Sequence, residues 1–397
     1  MSLLSTLPWE LAPDLPWRFF TPPSEKWATQ PSFVVGEYLF IVLAALCLWH
    51  ARRQADDGTS ARARHTIAWF AALLAGTAND VIFMALPLVD NFWQAQATIM
   101  LTPRLPLYIP CVYVCFMYIP TVAAWRVGGL SRVGRAAFTG LLGSLFYAPY
   151  DIVGAKFLWW TWHDSDKPIA ARLLGAPMSS TLWVLTFVAA FAWLLGRGLE
   201  PVRAGGPVTA GRAAKALGLV AGLSTLLMMV QMTALQQLDG GSPGPIALSV
   251  GVTLFAALAL VFFLKRNKDL PGDGASVDRL LASGIALYFA VLALIMANFV
   301  PETHQSASLH QTYGPCGVEQ KDITGLTRFK YVCAEQMDED YDFACVDGPP
   351  PSETQWYTVC GKAHTNQALW LGGVLGLGLV GAFAFVGLLR PPREEAE

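Results

Sequence analysis

The sequence predicts an all-α, polytopic helical membrane protein with about nine transmembrane helices and a disulfide-containing extracytoplasmic loop. Of its 397 residues, 54% are hydrophobic and only 14% are charged, and the mean hydropathy is +0.43. This composition excludes a soluble or a disordered chain and is typical of helices that lie in lipid. The spacing of the apolar stretches and the placement of the basic residues set the number of helices and their orientation.

Nine apolar stretches are long enough to cross a bilayer, which takes about 20 helical residues. Residues 1–31 precede them as an extracytoplasmic segment that lacks the basic start and small-residue cleavage site of a signal peptide. We expect an eight-helix bundle over 32–300, a four-Cys loop over 301–366, and a ninth helix with a cytoplasmic tail over 367–397. The predicted helices cover 32–50, 66–89, 104–125, 137–160, 178–196, 215–236, 244–264, 280–300 and 367–389.

The basic residues predict the orientation. Alternate connections contain 17 of the 27 Lys and Arg residues, and cytoplasmic loops carry such an excess. These connections are 51–65, 126–135, 197–215, 265–279 and 390–393. We therefore expect a multi-pass protein of the plasma (inner) membrane with its N-terminus extracytoplasmic and its C-terminus cytoplasmic.

The long loop 301–366 then lies on the oxidising side of the membrane. Four cysteines in such a loop predict two disulfides, for which three pairings are open. The loop is also acidic, and a protein partner that binds it is one possible function. Its cysteines are Cys316, Cys333, Cys345 and Cys360.

Polar side chains inside the first four predicted helices concentrate in their outer halves, whereas the inner halves are nearly uncharged. Asp80 and Asp151 each lie about 21 Å from the cytoplasmic start of a helix, in a hydrocarbon core about 30 Å thick. A charge at that depth is costly unless it faces a partner or a wet cavity, so we expect both carboxylates to be catalytic and to share one site. The remaining candidate binding residues of this level are Glu37, Asn79, Arg104, Tyr108 and Lys156.

The stretch 147–166 leaves the membrane through a cluster of tryptophans. Trp159, Trp160 and Trp162, followed by His163, are candidate binding residues, although Trp is also enriched at the membrane–water interface. Both interpretations stay open. Two small-residue pairs, Gly218/Gly222 and Gly372/Gly376, predict faces on which helices pack together.

The region 66–195 resembles the carotenoid-biosynthesis hydratases, the bacterioruberin-type membrane family that forms tertiary alcohols. The resemblance rests on Asn79-Asp80, on RLPLYIP at 104–110, on Asp151, and on Trp160-Thr161-Trp162, followed by Gly175-Ala176-Pro177 and Trp183. It implies hydration of a C=C bond in a polyene or isoprenoid lipid. One aspartate would then donate the proton, the other would position water, and the tryptophans would line the site. The implied reaction needs no metal and no organic cofactor.

Other functions stay open. A non-enzymatic protein that binds a partner through its disulfide loop fits the four cysteines, and a proton-coupled transporter fits buried carboxylates near Arg104 and Lys156. The expected partners are a membrane lipid or a hydrophobic small molecule, together with a possible protein partner at the loop 301–366. A net charge of −2, with no basic run, zinc-type cysteine pair or phosphate-binding glycine loop, excludes a nucleic-acid partner. The sequence leaves the oligomeric state open.

Overall fold

The computed structural model describes residues 18–54, 60–86, 92–163, 166–203, 208–270, 272–273, 278–307, 311–322, 325–333 and 341–389. Part of the predicted N-terminal segment, residues 1–17, lies outside these ranges, as does the predicted cytoplasmic tail from residue 390 onward. In the described part of the chain, helices dominate, and short strands occur in the connections.

The described residues form ten α-helices. The first helix is short, and each of the other nine overlaps one predicted stretch. Eight of these nine have the length and apolar composition of membrane spans. The helices are α1 Pro23–Thr29, α2 Pro31–Arg53, α3 Ala61–Ala85, α4 Tyr108–Trp125, α5 Arg132–Lys156, α6 Met178–Arg203, α7 Ala210–Gln236, α8 Pro245–Leu264, α9 Arg279–Asn298 and α10 Gln367–Leu388.

The helix ends follow local sequence signals. Proline begins α1, α2 and α8. Proline is tolerated there because an N–H group in the first turn of a helix has no intrahelical hydrogen-bond partner. Side chains cap other helices: Ser131 accepts a hydrogen bond from the amide of Gly134, and Asp278 accepts one from the amide of Leu281. Most boundaries therefore fall close to the predicted ones.

The long helix α5 is the exception to the apolar composition, because it carries Arg132, Arg135, Asp151 and Lys156. It packs against α4, α6, α8, α9 and α10. Since other helices surround α5, its sequence does not need to be apolar on every side.

The peripheral helices show the opposite pattern. Leu226 of α7 is 58% exposed and Phe383 of α10 is 77% exposed. The predicted packing faces at Gly218/Gly222 and Gly372/Gly376 are also exposed, and a Cβ added at any of the four would meet nothing within 4 Å. The prediction that these glycine pairs pack helices against each other is therefore wrong within one chain, because these small residues lie on outward-facing sides of α7 and α10.

The loop 301–366 forms a small cap at one end of the bundle, which we term the cap end. Its disulfides join Cys316 to Cys333 and Cys345 to Cys360, which confirms the prediction of two disulfides and selects one of the three pairings. The strands of the cap are β5 Gln305–Ser306, β6 Glu319–Lys321, β7 Thr327–Phe329, β8 Tyr341–Asp342 and β9 Val359–Gly361. Strands β6 and β7 pair as an antiparallel hairpin, and β9 lies between β5 and β8.

Two connections of the bundle complete the rim at this end. Strand β1, Phe92–Gln94, pairs antiparallel with β2, Trp160–Trp162, and β3, Arg172–Leu173, pairs with β4, Ala176–Pro177. The cap packs on this rim through an apolar cluster in which Trp93 and Leu158 contact cap residues. The cap residues of the cluster are Val332, Tyr341, Phe343, Tyr357 and Val359.

The opposite end of the bundle contains a buried polar cluster, so the prediction of nearly uncharged inner halves is wrong. The phenol of Tyr118 lies 2.7 Å from Nδ1 of His50 and 3.2 Å from Nδ1 of His65. His50 also pairs with Asp278, and Arg64 pairs with Asp273 at 2.8 Å. The prediction missed this cluster because α3 begins before the apolar stretch does and carries Arg64 and His65 into the packed interior.

Candidate functional site

A cavity of about 230 Å³ lies at the cap end between the bundle and the cap. Helices α3 to α7 supply most of its wall, strands β1 and β2 contribute aromatic residues, and the β6–β7 hairpin closes it from above. The wall is mainly aromatic and apolar with a few polar groups, which is typical of a small-molecule site. Its polar and charged residues include Asn79, Asp80, Gln94, Ser179, Ser180, Asp322 and Arg328.

Asp80 is the buried carboxylate that α3 contributes to the cavity wall. It is 4% exposed, and its Oδ1 atom accepts a very short hydrogen bond from the phenol of Tyr113. The side-chain amide Nδ2 of Asn79 donates to the same phenol oxygen at 3.1 Å. The hydroxyl of Thr225 donates to the side-chain oxygen Oδ1 of Asn79 at 3.2 Å. Three helices therefore hold the carboxylate in one hydrogen-bonded chain.

A glycine makes room for this arrangement. Gly76 lies one helical turn before Asp80, on the same face of α3. A Cβ atom at Gly76 would lie 2.1 Å from Cγ of Tyr113, a distance that real side chains do not tolerate. The absence of a side chain lets the Tyr113 ring lie against α3, where its hydroxyl reaches Asp80.

Asp151 does not line the cavity, although its helix neighbours Tyr147 and Tyr150 do. It is 1% exposed, and neither carboxylate oxygen makes a hydrogen bond with a described residue, while the hydroxyl of Ser180 lies nearby. Tyr147 lies within electrostatic range of both Asp151 and Asp80. Of the two aspartates, only Asp80 lines the cavity.

Three further candidates lie away from the cavity wall. Glu37 is fully buried and accepts hydrogen bonds from the Thr98 amide at 3.0 Å and the Thr98 hydroxyl at 2.7 Å. Arg104 donates to the carbonyl of Met84 at 3.1 Å. Lys156 lies 4.9 Å from the ring centre of Trp370 and 3.5 Å from the carbonyl oxygen of Ala363. These residues brace the ends of helices and the connections between them.

The remaining candidates divide between the wall and the core. Trp160 and Trp162 line the cavity. Trp159 is fully buried, and its indole N–H donates to the Ser32 hydroxyl at 3.0 Å, so it is a core residue that packs against α2. The phenol of Tyr108 donates to Gln94, whose side chain lines the cavity, at 2.8 Å.

A buried ion cluster that the sequence did not predict lies where the β6–β7 hairpin closes the cavity. Nε of Arg328 lies 2.6 Å from Oδ2 of Asp166, and its Nη1 lies 3.2 Å from Oδ2 of Asp322. All three side chains are less than 9% exposed. Burial lowers the pKa of His163, which lies beside this cluster. A signal existed, because Arg328 is the only arginine of an acidic loop, but its partner Asp166 is 162 residues away in the chain.

The disulfide Cys316–Cys333 closes the segment that carries this cluster. Both β6 and β7 lie between its two cysteines, and so do Asp322 and Arg328. The hairpin is thus closed at its base by a covalent bond, and Arg328 of β7 pairs it with Asp166 of the connection between α5 and α6. This double attachment holds the roof of the cavity in place.

A family described as Domain of unknown function (DUF7802) matches residues 20–199 and 221–386. The chain belongs to this family. The matched residues include both the helices that form the cavity wall and the hairpin that covers it, so bundle and cap are parts of one family domain. Neither the comparison with curated proteins nor the comparison with solved structures finds a match. The resemblance to carotenoid hydratases stays a prediction.

Replacement of Arg328 tests the attachment of the cap. Arg328→Met removes the guanidinium that pairs with Asp166 and Asp322, which costs about 3–5 kcal/mol when one partner of a buried pair is removed. We expect amide hydrogen exchange in residues 319–329 to accelerate and the melting temperature to fall. Arg52→Met, at an exposed arginine, is the control and should change neither. Unchanged exchange in the hairpin of Arg328→Met would contradict the proposed role of the cluster.

Proposed function

We propose that the protein is a multi-pass membrane protein that binds a lipid-soluble molecule in the capped cavity, with the polar end of that molecule beside Asp80. The observation that carries the proposal is a largely apolar cavity, enclosed by membrane-type helices, whose wall contains one buried carboxylate in a hydrogen-bonded chain. Burying a carboxylate in an apolar bundle costs free energy, so its presence there favours a functional site.

The outward faces of the helices support the membrane location. Exposed leucine, valine and phenylalanine residues on α7, α8 and α10 would be costly in water and are favourable in lipid. Helix α5 would be the ninth span, shielded from lipid by its neighbours. The basic connections lie at the end opposite the cap, which supports a cytoplasmic location for that end and an oxidising location for the disulfides.

Reporter fusions test this orientation. A fusion after Arg132 or Lys268 should report the cytoplasm, because both residues lie at the end opposite the cap, whereas a fusion after Gln311 should report the outside. Alkylation without reductant should label Cys47, Cys111 or Cys115 in unfolded protein and none of the four cap cysteines. An exported signal after Arg132 would overturn the orientation.

The position of α7 supports lipid-soluble ligands in particular. Met228, Met229 and Met232 of this helix line the cavity, while Leu226 and Val230 of the same helix are 58% and 59% exposed. One helix thus separates the cavity from the surrounding lipid. Methionine side chains are flexible and adapt to irregular apolar ligands.

Analysis of bound molecules tests the proposal. The protein is purified from its native membrane in a neutral maltoside detergent, and an organic extract is analysed by mass spectrometry. We expect a class of small lipid-soluble molecules that is enriched on the wild type and reduced at least about fivefold on Asp80→Asn, since the loss of a buried charged partner costs about 2 kcal/mol or more and about 1.4 kcal/mol corresponds to a tenfold change in affinity. Glu302→Gln, at an exposed cap carboxylate, is the control. Identical extracts from all three proteins would refute ligand binding at Asp80.

A second candidate function is acid–base chemistry on a C=C bond, as the hydratase resemblance implies. The contact between Tyr113 and Asp80 favours it, because a carboxyl group in a hydrogen-bonded chain can exchange a proton with a bound molecule. The acid would be Asp80, whereas Asp151 would act through Tyr147 or Ser180, since it does not reach the cavity. Reaction in D₂O should place deuterium in the product for the wild type and not for Asp80→Asn. The transporter and partner-binding alternatives stay predictions.

A further inference from the structure

The buried carboxylates at and beside the cavity already have counter-charges in the protein. Each of the four buried aspartates of the described chain interacts with an arginine, either as an ion pair or over a longer electrostatic range. The interactions join Asp80 to Arg104, Asp151 to Arg172, and both Asp166 and Asp322 to Arg328. A ligand with a fixed charge would therefore compete with these interactions and carry its own cost of burial, whereas an uncharged ligand avoids both.

One buried hydroxyl group of the cavity wall, that of Ser179, is left without a protein partner. The side chain of Gln94 accepts a hydrogen bond from Tyr108, and the hydroxyl of Ser180 lies near Asp151. Ser179 also lines the cavity and is only 9% exposed, but its hydroxyl makes no hydrogen bond with a described residue. Burying a polar group without a partner is costly, so a ligand atom that bonds this hydroxyl would lower the free energy.

The place of Ser179 in its helix favours an oxygen atom as that partner. Ser179 belongs to the first turn of α6, which begins at Met178. The first N–H groups of a helix have no acceptor within the helix, and the helix dipole is positive at this end. A ligand oxygen carries partial negative charge, so both the hydroxyl and the end of the helix attract it.

Ser179 and Asp80 lie on connected parts of the wall. Ser179 is one helical turn from Trp183, on the same face of α6. The ring centre of Trp183 lies 6.0 Å from that of Tyr113, and Tyr113 donates to Asp80. All four residues line the cavity. One ligand that follows this part of the wall can therefore contact both Asp80 and Ser179.

We infer that the ligand carries an uncharged oxygen group, a ketone or an alcohol, that accepts a hydrogen bond from Ser179. This inference rests on the proposed function and specifies the ligand class. It makes Ser179 the residue that distinguishes an oxygenated lipid-soluble molecule from a hydrocarbon of the same shape.

Probes with one carbon skeleton test the inference. Butyrophenone and butylbenzene differ only by a carbonyl group in place of a methylene group. The full-length protein is held in maltoside micelles, and binding is measured as a rise in melting temperature with probe concentration, because a ligand of the folded state stabilises it by mass action. Concentrations are expressed per mole of detergent, which corrects for the different solubility of the probes. We expect the ketone to bind at least about fivefold more tightly, the effect of about one hydrogen bond.

Two serine variants locate the donor. Ser179→Ala should bring the ratio of the two affinities close to one, because it removes the hydroxyl and leaves the apolar wall in place. Ser144→Ala is the matched control. The hydroxyl of Ser144 donates to the Gly140 carbonyl of its own helix at 3.1 Å and Ser144 does not line the cavity, so this variant should keep the wild-type ratio.

Three further probes define the oxygen group and test its lack of charge. The alcohol made by reducing butyrophenone separates a hydroxyl ligand from a ketone, and tighter binding of either one than of butylbenzene supports the inference. Phenylbutyrate and phenylbutylammonium carry a negative and a positive charge on a similar skeleton. Stronger stabilisation by either charged probe than by the ketone and the alcohol would overturn the inference.

The wild-type comparison does not depend on a variant that folds. If neither the ketone nor the alcohol stabilises the wild type more than butylbenzene does, the inference is wrong, while a cavity for apolar ligands remains as proposed above. A wild-type ratio in folded Ser179→Ala protein would overturn the assignment of Ser179. The extracts from native membranes decide the proposed function separately, and we expect the molecules enriched there to contain oxygen and no fixed charge.

Discussion

A carboxylate inside an apolar helical bundle raises the free energy of the fold unless hydrogen-bond donors or a cation compensate it. Asp80 imposes this constraint on the cap end of the molecule. Tyr113 approaches closely enough to donate because Gly76 has no side chain; Asn79 donates to the same phenol, and Thr225 holds the Asn79 side chain. Arg104 adds an electrostatic interaction with the carboxylate, although no described ion pair includes Asp80. The structure thus bears the cost of a buried carboxylate at the wall of the cavity.

The cap turns this polar position into an enclosed site. A hairpin with a buried arginine would be unstable alone, but Asp166 and Asp322 pair with Arg328 and the disulfide Cys316–Cys333 closes its base. Excluding water in this way strengthens every electrostatic interaction inside the cavity.

Much of the fold could be predicted from the sequence. The apolar stretches are helices because their composition and length dictate that state, and four cysteines in one polar loop predict two disulfides. The strands were missed because β1, β2 and the cap strands are only two or three residues long, too short for an alternating pattern. Helix α5 shows a further limit, since its charged residues are tolerated only because five other helices pack around it.

The site could be predicted only in part. Depth along a helix placed Asn79 and Asp80 at the level of the cavity, but depth does not fix the direction in which a side chain points. Glu37 lies at a similar level but accepts hydrogen bonds from Thr98, and Asp151 does not line the cavity. Arg328 could not be paired with Asp166 from sequence, because their contact spans 162 residues and depends on how the cap sits on the bundle.

Filling the cavity tests the central claim most directly, namely that a molecule occupies the capped space beside Asp80. Met229 lines the cavity, whereas Leu226 of the same helix faces outward. The amount of bound lipid-soluble molecule, measured by mass spectrometry of protein from native membranes, should fall to background in Met229→Trp and stay at the wild-type level in Leu226→Trp. A correctly folded Met229→Trp protein that retains the wild-type amount would contradict the account.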